Sequence, residues 1–188
     1  QNAAYVVKTH NLMAARGPRV QAATILRDPR DMALSYRRFM GEGVESTPPV
    51  FFVERVIAGY QQIKKMWGDA LIETRYDDVV HRPTAVLAAL RPALGLAADR
   101  RTDTEIAAAL SPEAVVKIID NAVRRESAAV NLSGFGIERV MDRETGFQSG
   151  HVGDGAIGKW RTELSAQDKA IIAAKHGKWL EAQGFPVQ

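Results

Sequence analysis

The sequence predicts an α/β protein in which a parallel β-sheet is flanked by helices. Three observations carry that expectation. Short apolar runs (Tyr5-Val6-Val7, Val20 to Leu26, Ala70 to Thr74) alternate with longer stretches of helical periodicity, in the order β–β–α–α–β–α–α–loop–α. The first two runs each deliver cations, Lys8 and His10 from one and Arg27 from the other. The second run turns at once into a helix start at Asp28-Pro29. A buried strand that ends in charge and turns into a helix is a common way for α/β proteins to build an anion site.

Each element has a local reason. Tyr5 to Lys8 reads as a short buried strand, and Gly17-Pro18 marks the turn in the loop that follows. Val20 to Leu26 is apolar enough for a strand covered on both faces. Asp28 suits a helix N-cap, Pro29 the first helical position and Asp31 the first turn, and the helix should stop at Gly41-Glu42-Gly43. After a Gly- and Pro-rich loop over 41–50, Phe52, Val56, Ile57, Tyr60, Ile63 and Trp67 share one face of a long helix. Ala70 to Thr74 is a third strand, ending at Arg75-Tyr76-Asp77-Asp78. Pro83 opens a helix that Gly95 closes, and helical pieces follow at Ala107 to Leu110 and Pro112 to Arg125. Residues 131–158 hold seven glycines between Gly134 and Gly158 and little periodicity, so a long loop is expected. A last helix, Ser165 to Gln183, is capped by Ser165 and ended by Gly184 and Pro186.

The chain's 188 residues suffice for one domain with a full core, and no repeat or linker divides them. Hydrophobic residues at 46% and charged residues at 25% are ordinary for a soluble protein. No run reaches membrane-spanning length and no signal peptide is recognisable, so a cytoplasmic location is expected. The absence of cysteine excludes disulfides, thiolate catalysis and thiolate metal sites. A net charge of +3 arises from cations scattered among nearly as many carboxylates, with no basic stripe. That favours a small anionic ligand over nucleic acid.

Arg27 stands where a strand end, a helix N-terminus and a guanidinium meet, which suits a phosphate or sulfate. Ser35, two turns into the helix, can add a hydroxyl. The competing expectation pairs Arg27 with Asp31 or Asp28 and packs Ser35 between helices. Lys8 and His10 follow the neighbouring strand and should reach the same sheet edge. Histidine suits proton abstraction near neutral pH, although a lone loop histidine is more often an ordinary surface residue. His81, His151 and His176 lie beside no strand end, and no histidine pair has metal-ligand spacing. The segment from Gly153 to Lys159 fits the phosphate-binding pattern GxxxxGK, but Trp160 stands where a magnesium-binding hydroxyl is required, and no buried strand precedes it.

Together, VVKTHN and ILRDPRDMALSYRRF resemble the sulfotransferases, of cytosolic and bacterial type, that use 3′-phosphoadenosine 5′-phosphosulfate (PAPS). In that family a K-T-H segment carries the catalytic histidine, and a strand ending R-[ND]-x-x-D-x-x-x-S holds the nucleotide's 3′-phosphate. Lys8, Thr9 and His10 match the first pattern, and Arg27 and Ser35 match the second. IETRYDDVVHRP resembles the segment whose tyrosine lies near the adenine, here Tyr76. GAIGKWRTELS resembles the late G-x-x-G-x-W segment, giving Gly155, Gly158 and Trp160.

The resemblance implies a P-loop-NTPase-like sulfotransferase fold over residues 1–188 as a single domain. It implies sulfuryl transfer from PAPS to a hydroxyl, or an amine, of a small-molecule acceptor. His10 would be the general base, with Lys8 neutralising charge and no metal required. Arg27, Ser35, Tyr76, Gly155 and Gly158 would bind the nucleotide. For Trp160, plain core packing is expected. Two departures stand out. The loop that grips the 5′-phosphosulfate, a P-K-S-G-T-like segment, is not in this chain, so the N-terminal part of the domain is expected to be missing. Gly153-Asp154 replaces a basic pair, for which backbone N–H groups, His151 or Arg161 could substitute. The dimerisation pattern of animal members is not recognisable around Arg161 to Ala170, and oligomeric state is left open. The alternatives are a non-catalytic nucleotide-binding or interaction domain, and a P-loop kinase relative using ATP.

Overall fold

The computed structural model describes residues 20–40, 47–93, 95, 101–124, 129–131, 140–150, 153 and 155–187. The expected strand from Tyr5 to Lys8, and with it Lys8 and His10, lies outside the described residues.

Strand β1 spans Ala22–Leu26 and helix α1 spans Pro29–Met40. The join follows the capping chemistry: the backbone N–H of Arg30 donates to Asp28 Oδ1 at 2.9 Å, and the N–H of Met32 donates to the Asp28 carbonyl at 3.0 Å. Helix α2, Pro49–Trp67, starts on a proline and ends at Gly68. A 3-10 turn over Gly68–Ala70 leads into β2, Leu71–Arg75. β1 and β2 pair in parallel, from Ala22 opposite Leu71 to Leu26 opposite Arg75. The parallel expectation is met in this two-stranded sheet. A parallel connection needs a crossover, and α1 and α2 supply it.

The chain runs directly from β2 into α3, Tyr76–His81, where the sequence suggested only a strand end. α4 spans Pro83–Ala93, and Gly95 closes it with φ 62°. α5 spans Asp103–Ala109, starting earlier than apolar periodicity suggested. The reason is a capping box: Thr102 N–H donates to Glu105 Oε2 at 2.7 Å, and Glu105 N–H donates to Thr102 Oγ1 at 3.2 Å. α6, Pro112–Arg124, begins at the expected Ser111-Pro112, with the Ser111 hydroxyl accepting from Ala114 N–H at 3.2 Å.

The glycine-rich stretch read as loop contains a correction. β3, Ala129–Asn131, and β4, Val140–Asp142, form an antiparallel pair. Buried Asp142 then turns the chain, accepting from Thr145 N–H at 3.1 Å and Thr145 Oγ1 at 2.5 Å. A short helix α7, Trp160–Glu163, leads to α8, Ala166–Ala182, whose N-cap Ser165 accepts from Asp168 N–H at 3.0 Å.

The main core joins β1, α1, α2, α7 and α8 through Leu26, Ala33, Phe52, Val53, Trp160 and Ile172, with Leu180 and Phe185 closing it below. Full burial of each large side chain is worth about 1.5–3 kcal/mol. Among the described residues β1 alternates in burial, with Leu26 buried in the core and Ile25 54% exposed, rather than being covered on both faces. Arg75 ties the end of β2 to the C-terminal segment: Nη1 donates to the Gln183 carbonyl at 2.7 Å, and the guanidinium lies 4.5 Å from the Phe185 ring centroid.

Candidate functional site

At the C-terminal end of β1 the chain opens into a polar cleft. Its walls come from Arg27, from one face of α1, from Tyr76 at the start of α3, and from the 153–159 segment. The α1 wall is Asp31, Leu34, Ser35 and Arg38, the i, i+3, i+4, i+7 positions of a single helical face.

Arg27 is the cleft's central cation. Its guanidinium carbon sits 4.2 Å from the Tyr76 ring centroid, within cation–π range. Nη2 makes a long hydrogen bond to the Ala156 carbonyl at 3.4 Å, and the buried Nε has no hydrogen-bond partner among the described residues. A buried charged donor left unpaired is costly, and an anion arriving in the cleft would relieve that cost.

The competing expectation, that Asp28 or Asp31 neutralises Arg27, is overturned. Both carboxylates are engaged elsewhere. Asp28 receives Arg30 Nε at 2.9 Å and Nη2 at 2.7 Å, and this pair is buried. Asp31, 3% exposed, accepts the backbone N–H of Gly158 at 2.6 Å and that of Trp160 at 3.0 Å. Asp31 therefore fastens the glycine segment onto α1 across 127 residues of chain. Ser35 is exposed and faces the cleft; packing between helices does not account for it.

The glycine segment needs its glycines. Gly155 and Gly158 have φ of 68° and 80°, left-handed values that side chains disfavour. A Cβ on Gly158 would also collide with the Arg161 guanidinium. Trp160, 2% exposed, is core, as expected, with the Arg30 guanidinium carbon 3.5 Å above its ring. Arg30 also donates from Nη2 to the Pro186 carbonyl at 2.6 Å. One buried arginine thus holds the α1 N-cap, the Trp160 ring and the C-terminal segment.

Four of the expected nucleotide-binding positions, Arg27, Ser35, Tyr76 and Gly155, line this one cleft. Gly158 does not line it but is fixed beside it by Asp31. Lys8 and His10 are outside the described residues. Three features escaped the sequence reading. Asp31 is expected from the sequence as a first-turn acid or a partner of Arg27, not as the anchor of the glycine segment. Arg38 had a usable signal, its i+3 spacing from Ser35. Lys159 had none, since it appeared only as the end of an unsupported GxxxxGK pattern. The Arg161 guanidinium carbon lies 4.9 Å from the Trp160 ring centroid.

No family model and no curated protein matches the chain. Among solved structures it is similar to retinol dehydratase, determined in complex with androsterone and the inactive cofactor PAP. The TM-score is 0.52 at 17% identity, with 86% of this chain covered. The match spans 46% of that protein, so this chain corresponds to about half its length. What the likeness establishes is the architecture: a helix-rich α/β fold around a small parallel sheet, shared with retinol dehydratase.

Proposed function

We propose that this chain carries the nucleotide site of a sulfotransferase, which moves a sulfuryl group from PAPS to a hydroxyl, or an amine, of a small-molecule acceptor. The observation that supports this best is the convergence of Arg27, Ser35, Tyr76 and Gly155 on one cleft. These residues come from three separate sequence segments, each singled out by resemblance to that family. The shared fold adds support, since PAP is the nucleotide that remains when PAPS gives up its sulfuryl group.

In this reading Arg27 and Ser35 hold the 3′-phosphate, and Tyr76 lines the adenine pocket. Gly155 and Gly158 let the backbone pass close to the nucleotide. His10 takes the proton from the acceptor oxygen as that oxygen bonds to sulfur. The bond from sulfur to the bridging phosphate oxygen breaks, and PAP departs. Lys8 neutralises charge on the transferring group, so that positioning and electrostatics carry the catalysis. The whole chain acts as one sulfotransferase domain in the cytoplasm.

Calorimetry with PAP and with ATP, together with an assay of sulfuryl transfer from PAPS, tests the proposal. PAP should bind and ATP should not, and in the full-length protein His10→Ala should abolish turnover while PAP binding persists. PAP binding with no transfer by the full-length protein would indicate a non-catalytic nucleotide-binding domain. Preferential ATP binding would indicate a kinase relative. Either result overturns the sulfotransferase reading.

A further inference from the structure

The Gly153-Asp154 departure removes two cations from the place where the resembled family keeps a basic pair, yet the cleft is not poor in positive charge. Arg27, Arg38 and Lys159 all line it, against a single lining carboxylate among the described residues, Asp31. That carboxylate has one oxygen on each of two backbone N–H groups, those of Gly158 and Trp160. Leu34 is the one purely apolar side chain in the lining. Three cations, a serine hydroxyl and a buried unpaired Nε on Arg27 make a site for a compact, multiply charged oxyanion.

We propose that Lys159 and Arg38 are the residues that replace the missing basic pair, completing with Arg27 and Ser35 a clamp for the nucleotide's 3′-phosphate. This rests on the PAPS reading above. Lys159 immediately precedes α7, and the bonds from Asp31 to Gly158 and Trp160 on either side of it fix its backbone against α1. Its position is therefore set by the same contacts that close the cleft. Arg38 lies one turn beyond Ser35 on the same helical face. Its ion pair with Glu163 is solvent-accessible, with the two side chains 52% and 37% exposed. Such pairs contribute little, about 0–1 kcal/mol, so a phosphate dianion can draw the guanidinium inward. In this reading the charge sits at the rear of the glycine segment and on α1 rather than at the segment's front.

The test is a ratio. Affinities for PAP and for adenosine 5′-monophosphate, which lacks the 3′-phosphate, are measured by calorimetry on the protein and its variants. The unaltered protein should prefer PAP. Lys159→Gln should reduce that preference about tenfold, as loss of a charged hydrogen bond predicts, and Arg38→Gln should reduce it by less. Lys159→Arg keeps the charge and should keep most of the preference. An undiminished preference in both glutamine variants overturns the clamp and leaves the PAPS reading intact. Equal loss in Lys159→Arg and Lys159→Gln, with a lowered Tm in both, shows a packing role and overturns it too. Absence of any preference in the unaltered protein overturns both readings together.

Discussion

The two halves of α1 use charge in opposite ways. At its start, Asp28, Arg30 and Asp31 are 7%, 1% and 3% exposed, and they bond to one another, to the Gly158 and Trp160 backbone and to the Pro186 carbonyl. Two turns later, Ser35 and Arg38 are exposed along the cleft wall. Arg27, just before the helix, sits between the regimes: stacked on Tyr76 but with a buried donor unpaired. Charges at the helix start hold distant segments together, whereas along the cleft Arg38 makes only a solvent-accessible ion pair, with Glu163. The difference is desolvation. A charge buried in the core must be fully partnered within the fold, whereas one beside a cleft can be partnered by what binds there.

Substitutions can break this contrast. Arg30→Ala should have the largest effect, a loss of about 3–5 kcal/mol in urea unfolding, because Asp28 would be left buried without its cation. Asp31→Ala should follow at about 2–4 kcal/mol, since it strands the N–H groups of Gly158 and Trp160. It should also weaken PAP binding by releasing the glycine segment. Arg27→Ala should show the reverse pattern: stability close to that of the unaltered protein, but PAP affinity weaker by about 1.5–3 kcal/mol. A stability loss for Arg27→Ala as large as that for Arg30→Ala would erase the distinction between the two halves.

The smallest effect is expected on β2, away from the cleft. Burial, together with the hydrogen bond to Glu73, pushes the Tyr60 hydroxyl up to about 12. For Glu73, burial opposes ionisation, but hydrogen bonds from Lys64 and Tyr60 outweigh it and hold the carboxyl below its usual range. The folded pKa of Tyr60 exceeds its unfolded value near 10, so its contribution is full below pH 10 and lost as pH rises towards 12. The Glu73 contribution is present above the ordinary carboxylate range and lost on acidification. Tyr60→Phe should therefore flatten the alkaline limb of a stability–pH profile and leave nucleotide affinity untouched. A change in PAP affinity would show that this edge and the cleft are coupled.

Where signals are local, the sequence reading matched the structure closely. Asp28-Pro29, Ser111-Pro112 and Ser165 start helices as expected, and Gly95 and Gly184 follow helix ends with positive φ. The Thr102–Glu105 capping box was equally local and went unread, which explains the late start expected for α5. The β3–β4 pair was not legible, since its strands are three residues each and exist only through their pairing. The exposure of Ile25 was not legible either, because an apolar run does not say how many of its faces will be covered.

By itself the sequence determined where the helices with Pro or Ser starts begin, that β1 would deliver Arg27 to a helix start, and which residue types could serve an anion. Those features depend on contacts within a few residues. Only the tertiary structure decided which acid partners which base. Asp31 reaches 127 residues along the chain to Gly158 rather than four back to Arg27, and Lys159 arrives beside Ser35 by that same closure. Buried polar groups choose partners by geometry and desolvation in the packed state, and no local pattern encodes that choice.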